Sequence, residues 1–417
     1  MYEYKKLACG VGLVTEKLEH AQAACIGIWV GAGSVCETPL NAGVSHYIEH
    51  MFFKGTSSKN AEQLARSIDD LGASVNAFTG KEATCFHIKA LTQVFPQAVD
   101  ILLEMLTDSV FDPKELKRER KVILEEMQMY EDTPDEYILD LTTERVLKGT
   151  PLAPAIIGTR RSLRAIDRDA ILNYIDQYYR TENMVVSVVG RFDESLLEEQ
   201  LNRALGKFQG SAPEKPVYEA PAGTGFAARA KDIGQTHIAL SIPACSLGSD
   251  QFYTQSVVND ILGGSMSSRL FQNIREKRGL AYSVYSVPIA YSSLGMFYIY
   301  AGITQGKEKE AIDAIAQELQ KLGETGITEA ELAVCKQRMK SGYIFGQESM
   351  GSRMSVLGKN RLLLGRNYSD EDTMKEIDEV SLENVNGFCR YLSDIRNYSG
   401  AIISREKLDL KKLIRQL

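Results

Sequence analysis

The sequence predicts an α+β protein made of two homologous α/β domains, each a mixed, largely antiparallel sheet packed with helices. Three observations lead there. The chain has 417 residues, more than the ~100–200 that one core usually holds. The stretch GSAPEKPVYEAPAG (210–223) is rich in proline and glycine, lacks periodicity and reads as a linker. The segments on its two sides repeat each other in the same order. The expected division is a first domain over 1–209 and a second over 224–417.

The repeats justify the elements one by one. AIDRDAILNYIDQYYRTENMVVSVVG (165–190) aligns without gaps to EVSLENVNGFCRYLSDIRNYSGAIIS (379–404). Ile166 meets Val380, Ile171 meets Val385, Tyr174 meets Phe388, Asn183 meets Asn397 and Val188 meets Ile402. Each copy reads as an amphipathic helix, a turn and a strand. ACIGIWVG (24–31) and THIALSIP (236–243) both read as strands. DPKEL (112–116) and TEAEL (328–332) both read as helix starts, with Asp112 or Thr328 able to cap and Pro113 at the first helical position. SVNAFTGKEATCFHIKAL (74–91) is a strand pair around a glycine-containing turn, and VFPQAVDILLEMLTDSV (94–110) is a helix.

Composition narrows the function. Hydrophobic residues are 44% and charged residues 25%, with 48 basic against 55 acidic residues and a net charge of −7. That is ordinary globular composition, and no basic stripe marks a nucleic-acid partner. No run approaches the ~18 apolar residues of a membrane span, and the N-terminus lacks the apolar core of a signal peptide. Seven scattered cysteines without a CxxC pair fit reduced thiols, so a cytoplasmic location is expected. GAGSVC (31–36) only begins like a dinucleotide fingerprint, no GxxxxGK[ST] loop occurs, and GGSMSS is not a GxSxG elbow.

Of five histidines, two share one pentapeptide, His46-Tyr47-Ile48-Glu49-His50. On a helix, i and i+4 project from one face, so both rings can hold one metal ion at ~2.0–2.1 Å. Glu49 then reaches a water activated by the metal without being a ligand itself. This HxxEH order is the inverse of HExxH and serves the same chemistry: two neutral imidazoles hold Zn²⁺, and a carboxylate takes a proton from water and passes it to a leaving amine. The competing reading is a helix bearing two histidines by coincidence. His20, His87 and His237 have no partner pattern and read as structural.

Such a site needs a third protein ligand. The helical run ELKRERKVILEEMQMYEDTPDE (115–136), which Pro134 should end, carries Glu119, Glu125 and Glu126. Glu119 and Glu126, almost two turns apart, face the same way. One can bind metal while the other orients a ligating histidine. From spacing alone Glu125 rivals Glu126, and a solvated charged helix rivals both.

HYIEHMFFKGT (46–56), GASVNAFTGKEATCFHIKAL (72–91), RERKVILEEMQMYEDTPDE (118–136) and GGSMSSRLFQNIREKRGLAYSVYS (263–286) together resemble the pitrilysin/insulinase family of zinc peptidases, especially its short bacterial members and the mitochondrial processing peptidase. The resemblance implies one Zn²⁺ per chain on His46, His50 and Glu126, with Glu49 as general base and Glu119 orienting a ligand. It implies that Asn76 and Ala77 begin an edge strand that pairs with a peptide substrate, and that Arg275 and Tyr282 contact substrate. The second half lacks HxxEH, and its counterpart of Glu126 falls near Gly342, so it is expected to be a substrate-holding copy without metal. The implied activity is hydrolysis of unfolded peptides by a homodimer, or a heterodimer with a related chain. The alternative is a non-catalytic partner subunit. TPLAPAIIGT (150–159) departs from the family's usual PLGRPILGT, which leaves the ligands untouched and the role of this loop open.

Overall fold

The computed structural model describes residues 2–215, 218–221 and 225–416. Eleven strands lie in two sheets among the described residues. In the first, β1 (Tyr2–Lys6), β2 (Gly12–Lys17), β3 (Ala23–Val30), β4 (Ser74–Thr79), β5 (Thr84–Leu91) and β6 (Met184–Gly190) take the order β1-β2-β6-β3-β5-β4. In the second, β7 (Phe226–Ala230), β8 (Gln235–Ala244), β9 (Ala281–Ala290), β10 (Gly295–Thr304) and β11 (Ser399–Ser404) take the order β7-β11-β8-β10-β9. Apart from the extra β1, the two orders are the same. Each sheet has one parallel pair, β2 with β6 and β7 with β11, and every other pair is antiparallel. The expected mixed, largely antiparallel sheets are therefore present.

Local chemistry sets the elements. The turn from Gly80 to Ala83 closes the β4–β5 hairpin through the Gly80 N–H to the Ala83 carbonyl, 2.8 Å. Asp112 accepts from the Lys114 N–H at 2.7 Å and starts the helix Pro113–Glu131, while Thr328 and Glu331 form a reciprocal cap on the helix Glu329–Gln347. Pro134 does not merely end the first helix; it opens another, Pro134–Val146.

The chain forms two compact units, and neither is one continuous stretch. The first comprises Met1–Met127, Pro154–Pro216 and Ile344–Ser369; the second comprises Gln128–Ala153, Val217–Tyr343 and Asp370–Leu417. Relative to a division at 210–223, two helices have changed places. The helix Pro134–Val146 lies against β8 and β11 in the second unit, and Met350–Leu364 lies against β3 and β6 in the first. Each buries an apolar face: Ile138 and Leu141 pack with Ala239 and Tyr300, and Met354 and Leu357 pack with Trp29 and Val189. Gly358 permits the second contact, since a Cβ there would lie 2.0 Å from Trp29 Nε1. Part of the expected linker, residues 216–217 and 222–223, lies outside the described residues; 211–215 and 218–221 carry neither helix nor strand.

Candidate metal centre

The helix Val44–Met51 follows from its own spacing. Val44, Tyr47, Ile48 and Met51 recur at i, i+3, i+4 and i+7 and are all buried in the first core. That leaves His46, Glu49 and His50 on the other side. Gly43 caps the helix with φ of 91°, the left-handed region, and a Cβ there would lie 2.7 Å from the Ile157 carbonyl. Gly158, in turn, would drive a Cβ to 2.3 Å from the Ala42 carbonyl. The backbone of Ile157 and Gly158, at the end of the divergent 150–159 segment, thus lies directly against the entry to the histidine helix. Ser162 Oγ, just past that loop, donates to the Ala42 carbonyl at 2.6 Å.

The long helix Pro113–Glu131 supplies the carboxylates. Its buried stripe is Leu116, Glu119, Ile123 and Met127. His46, His50 and Glu126 each offer one ligand atom, and the three lie within 4.8 Å of one another. His46 Nε2 stands 3.7 Å from Glu126 Oε1, and His50 Nε2 stands 3.4 Å from Glu126 Oε2. Glu125 is exposed and outside this group. Glu119 is buried and accepts from His50 Nδ1 at 3.2 Å while pairing with Lys54 Nζ at 2.7 Å. Glu49 Oε2 accepts from the Thr79 hydroxyl at 2.5 Å, so β4 holds the carboxylate beside the ligand group.

The electrostatics follow from burial and pairing. Burial, and then the neighbouring His50, hold the His46 ring below its ordinary pKa and so keep it neutral. Burial also acts to lower His50, but its bonds to Glu126 and Glu119 outweigh that and raise it. The bond to His50 lowers Glu126. Burial raises the Glu49 carboxyl against the pull of Thr79 and His50.

Residues 13–160 match the family described as insulinase (peptidase family M16), and residues 165–339 match the peptidase M16 inactive domain. A Bacillus subtilis protein named an uncharacterized zinc protease is 39% identical over 96% of this chain and 98% of its own. The chain belongs to the pitrilysin/insulinase family, M16. An uncharacterized zinc protease of Mycobacterium leprae is 34% identical over 98% of this M16 chain and 92% of its own. The fold agrees with a solved protease from Helicobacter pylori, with TM-score 0.90, 20% identity and coverage of 97% of this chain and 99% of that one. A peptidase M16 inactive domain from Pseudomonas fluorescens superposes with TM-score 0.89 at 19% identity, covering 97% and 98%.

A zinc ion fits the residues present in this M16 chain. Tetrahedral ligands at ~2.1 Å lie ~3.4 Å apart, close to the 3.4 and 3.7 Å found from Glu126 to the two imidazoles. Glu126 Oε2 is buried, and although it faces His50 Nε2 at 3.4 Å it forms no well-aligned hydrogen bond, as suits an oxygen placed to share a cation with that ring.

The remaining expected residues fall in two places. Asn76 and Ala77 lie on β4, which is the free edge of the first sheet, and the Asn76 side-chain oxygen takes the Ala77 N–H at 2.9 Å. Arg275 and Tyr282 lie in the second unit, the guanidinium 5.4 Å from the Tyr282 ring centre, with Tyr282 72% exposed at the start of the edge strand β9. Sequence reasoning missed Thr79, Lys54 and Glu37. Lys54 stands one turn beyond His50, a spacing that could have marked it. Glu37 and Thr79 come from a loop and a strand end, with no periodic signal. Glu37 accepts from the Gly43 N–H at 2.6 Å and the Ser45 N–H at 2.9 Å, and burial pushes its carboxyl up to about 7 against those two amides.

Among the described residues no helix is long and apolar enough to cross a membrane, and all seven cysteines are free.

Proposed function

We propose that this chain is a zinc-dependent endopeptidase acting on unfolded or extended peptides. The observation that carries this is the convergence of His46, His50 and Glu126 on one point with the Glu49 carboxylate beside them. His46, His50 and Glu126 would hold the ion, leaving an open position for water and substrate. Zinc bound there supplies a Lewis acid that acidifies water and polarises a carbonyl; Mn²⁺ or Co²⁺ suits similar donors. Glu49 takes a proton from the attacking water at its free carboxylate oxygen and delivers it to the leaving amine. Its raised carboxyl suits a group that must both accept and return a proton. Glu119 fixes the His50 ring through Nδ1.

The free edge of β4 supports the substrate class. An added strand must present its own N–H and C=O groups, which a folded protein keeps engaged. Ala77 N–H would exchange its bond to Asn76 for one to the peptide. Equal cleavage rates for an unfolded peptide and for the same sequence inside a stably folded domain would sink this reading.

The proposal includes a second copy of the chain, or a related one, in a cytoplasmic setting that suits seven free thiols. Arg275 and Tyr282 of one subunit would donate to the substrate carbonyl at the other's metal. Mixing Arg275→Ala chains with Glu49→Gln chains should then restore part of the activity each lacks. No recovery, once subunit exchange is demonstrated, rules out sharing of the site. A non-catalytic subunit is the second reading. It is favoured by the match of residues 165–339 to the inactive M16 domain.

A further inference from the structure

We infer that Glu37 is a positioning residue for the metal centre: its carboxylate, bonded to the amides of Gly43 and Ser45, fixes the helix that carries both histidines and offsets that helix's positive end where a dication must bind. The inference rests on the reading of His46, His50 and Glu126 as a metal site.

The geometry is specific. Both carboxylate oxygens are used, Oε2 on the Gly43 N–H at 2.6 Å and Oε1 on the Ser45 N–H at 2.9 Å. Those amides are among the orphan donors of the helix start. The helix has eight residues, and His46 is its third. A divalent cation on His46 therefore sits in the first turn, where the helix dipole opposes positive charge. A carboxylate on the same amides reverses the local sign. The rest of the entry is clamped as well. The Ser45 hydroxyl bonds Tyr174 at 2.8 Å, and Tyr174 in turn donates to the Gly33 carbonyl at 3.1 Å, while Gly43 abuts the Ile157 backbone. Glu37, Tyr174 and the Ile157 backbone thus all bear on the entry of the helix.

The second unit separates a role in the fold from a role at the site. There the helix Phe252–Leu262 takes the equivalent place. Ser286 bonds Asn259 at 2.8 Å as Thr79 bonds Glu49, and Cys335 bonds Asp260 at 2.8 Å as Glu119 bonds His50. These struts persist without the ligands. The start of Phe252–Leu262, however, is held by neutral groups: the Gln251 N–H donates to Ser249 Oγ at 3.2 Å, and Gln255 Oε1 accepts from the Cys245 N–H at 3.2 Å. At the histidine helix the corresponding contacts are made by a carboxylate.

The test is a zinc titration of the full-length chain against a competing chromophoric chelator, for wild type, Glu37→Gln and Glu37→Ala, with melting of each metal-free chain. At pH 8.5, above the raised Glu37 carboxyl at about 7, Glu37→Gln keeps the shape and removes the charge. It should bind zinc about tenfold more weakly while the metal-free chain melts close to wild type, and Glu37→Ala should bind more weakly still. Should Glu37→Ala fail to fold, the glutamine variant decides. Unchanged zinc affinity in Glu37→Gln, even with lowered melting, would make Glu37 a cap of the fold alone and overturn the inference. A wild type that takes up no zinc would overturn the metal reading and this inference together, a result distinguishable from equal binding by wild type and variant.

Discussion

The helix Val44–Met51 in the first unit and the helix Phe252–Leu262 in the second stand at the same place in sheets that share their order apart from β1, yet among the described residues only the first bears a ligand set. Counting equal steps from the starts of the long helices Pro113–Glu131 and Glu329–Gln347, Cys335 stands where Glu119 does and Gly342 where Glu126 does. The matched contacts put Asp260 in the place of His50 and Asn259 in that of Glu49, and counting back four residues from Asp260 puts Ser256 in that of His46. The hydrogen bonds that tie helix to strand and helix to helix are kept with altered chemistry; the three ligands are gone. At Asp260 the guanidinium of Arg338 supplies positive charge. A copied architecture thus shows which contacts the fold needs and which only the metal site needs.

Breaking this comparison begins with the Glu119 and Cys335 pair. Glu119→Gln leaves an acceptor for His50 but loses the charge shared with Lys54. It should cost ~10–100-fold in zinc affinity, measured by chelator competition. Cys335→Ser, at the matching point, should leave zinc affinity unchanged. Equal losses from both would mean that the pair does not distinguish site from scaffold.

A smaller effect sharpens the contrast through pH. The folded carboxyl of Glu37 titrates near 7, above its ordinary 4.5, because of burial. The metal-free folded chain therefore holds more protons than the unfolded chain between these values, and its stability falls as pH rises from 4.5 to 7. The contribution is about 1–3 kcal/mol. Denaturant melts of metal-free Glu37→Gln across that range should lack this part of the decline. A decline as steep as in wild type would assign it to other groups.

The smallest effect lies at Gly342. A Cβ there meets nothing within 4 Å, and the residue is inside the helix Glu329–Gln347. Gly342→Ala should stabilise by ~0.5–1 kcal/mol, read as a rise in melting temperature with peptide cleavage unaltered. Where Glu126 serves the metal, its counterpart is free to be improved.

Legibility in the sequence followed the range of each interaction. His46, Glu49 and His50 could be read because helical geometry puts them within one turn. The seven-residue distance from Glu119 made Glu126 a candidate, spacing alone left Glu125 open, and the family resemblance pointed to Glu126; in the structure the buried stripe of Leu116, Ile123 and Met127 decides which face turns inward. Glu37 and Thr79 reach the centre only because β3, its following loop and β4 fold beside the helix, and no local pattern announces that. The internal repeat was visible as matching apolar positions, whereas the order of the strands in each sheet was not. The exchange of Pro134–Val146 and Met350–Leu364 was not, because an apolar helical face does not specify which sheet covers it.

The central claim is tested most directly by measuring zinc content and cleavage of a broad library of unfolded peptides, for purified wild type and Glu49→Gln. The account predicts about one zinc per chain in both, with cleavage by the wild type and a loss of ~10²–10⁴-fold or more in the variant. Zinc bound by a wild type that cleaves nothing in the library would contradict it and identify the chain as a partner subunit.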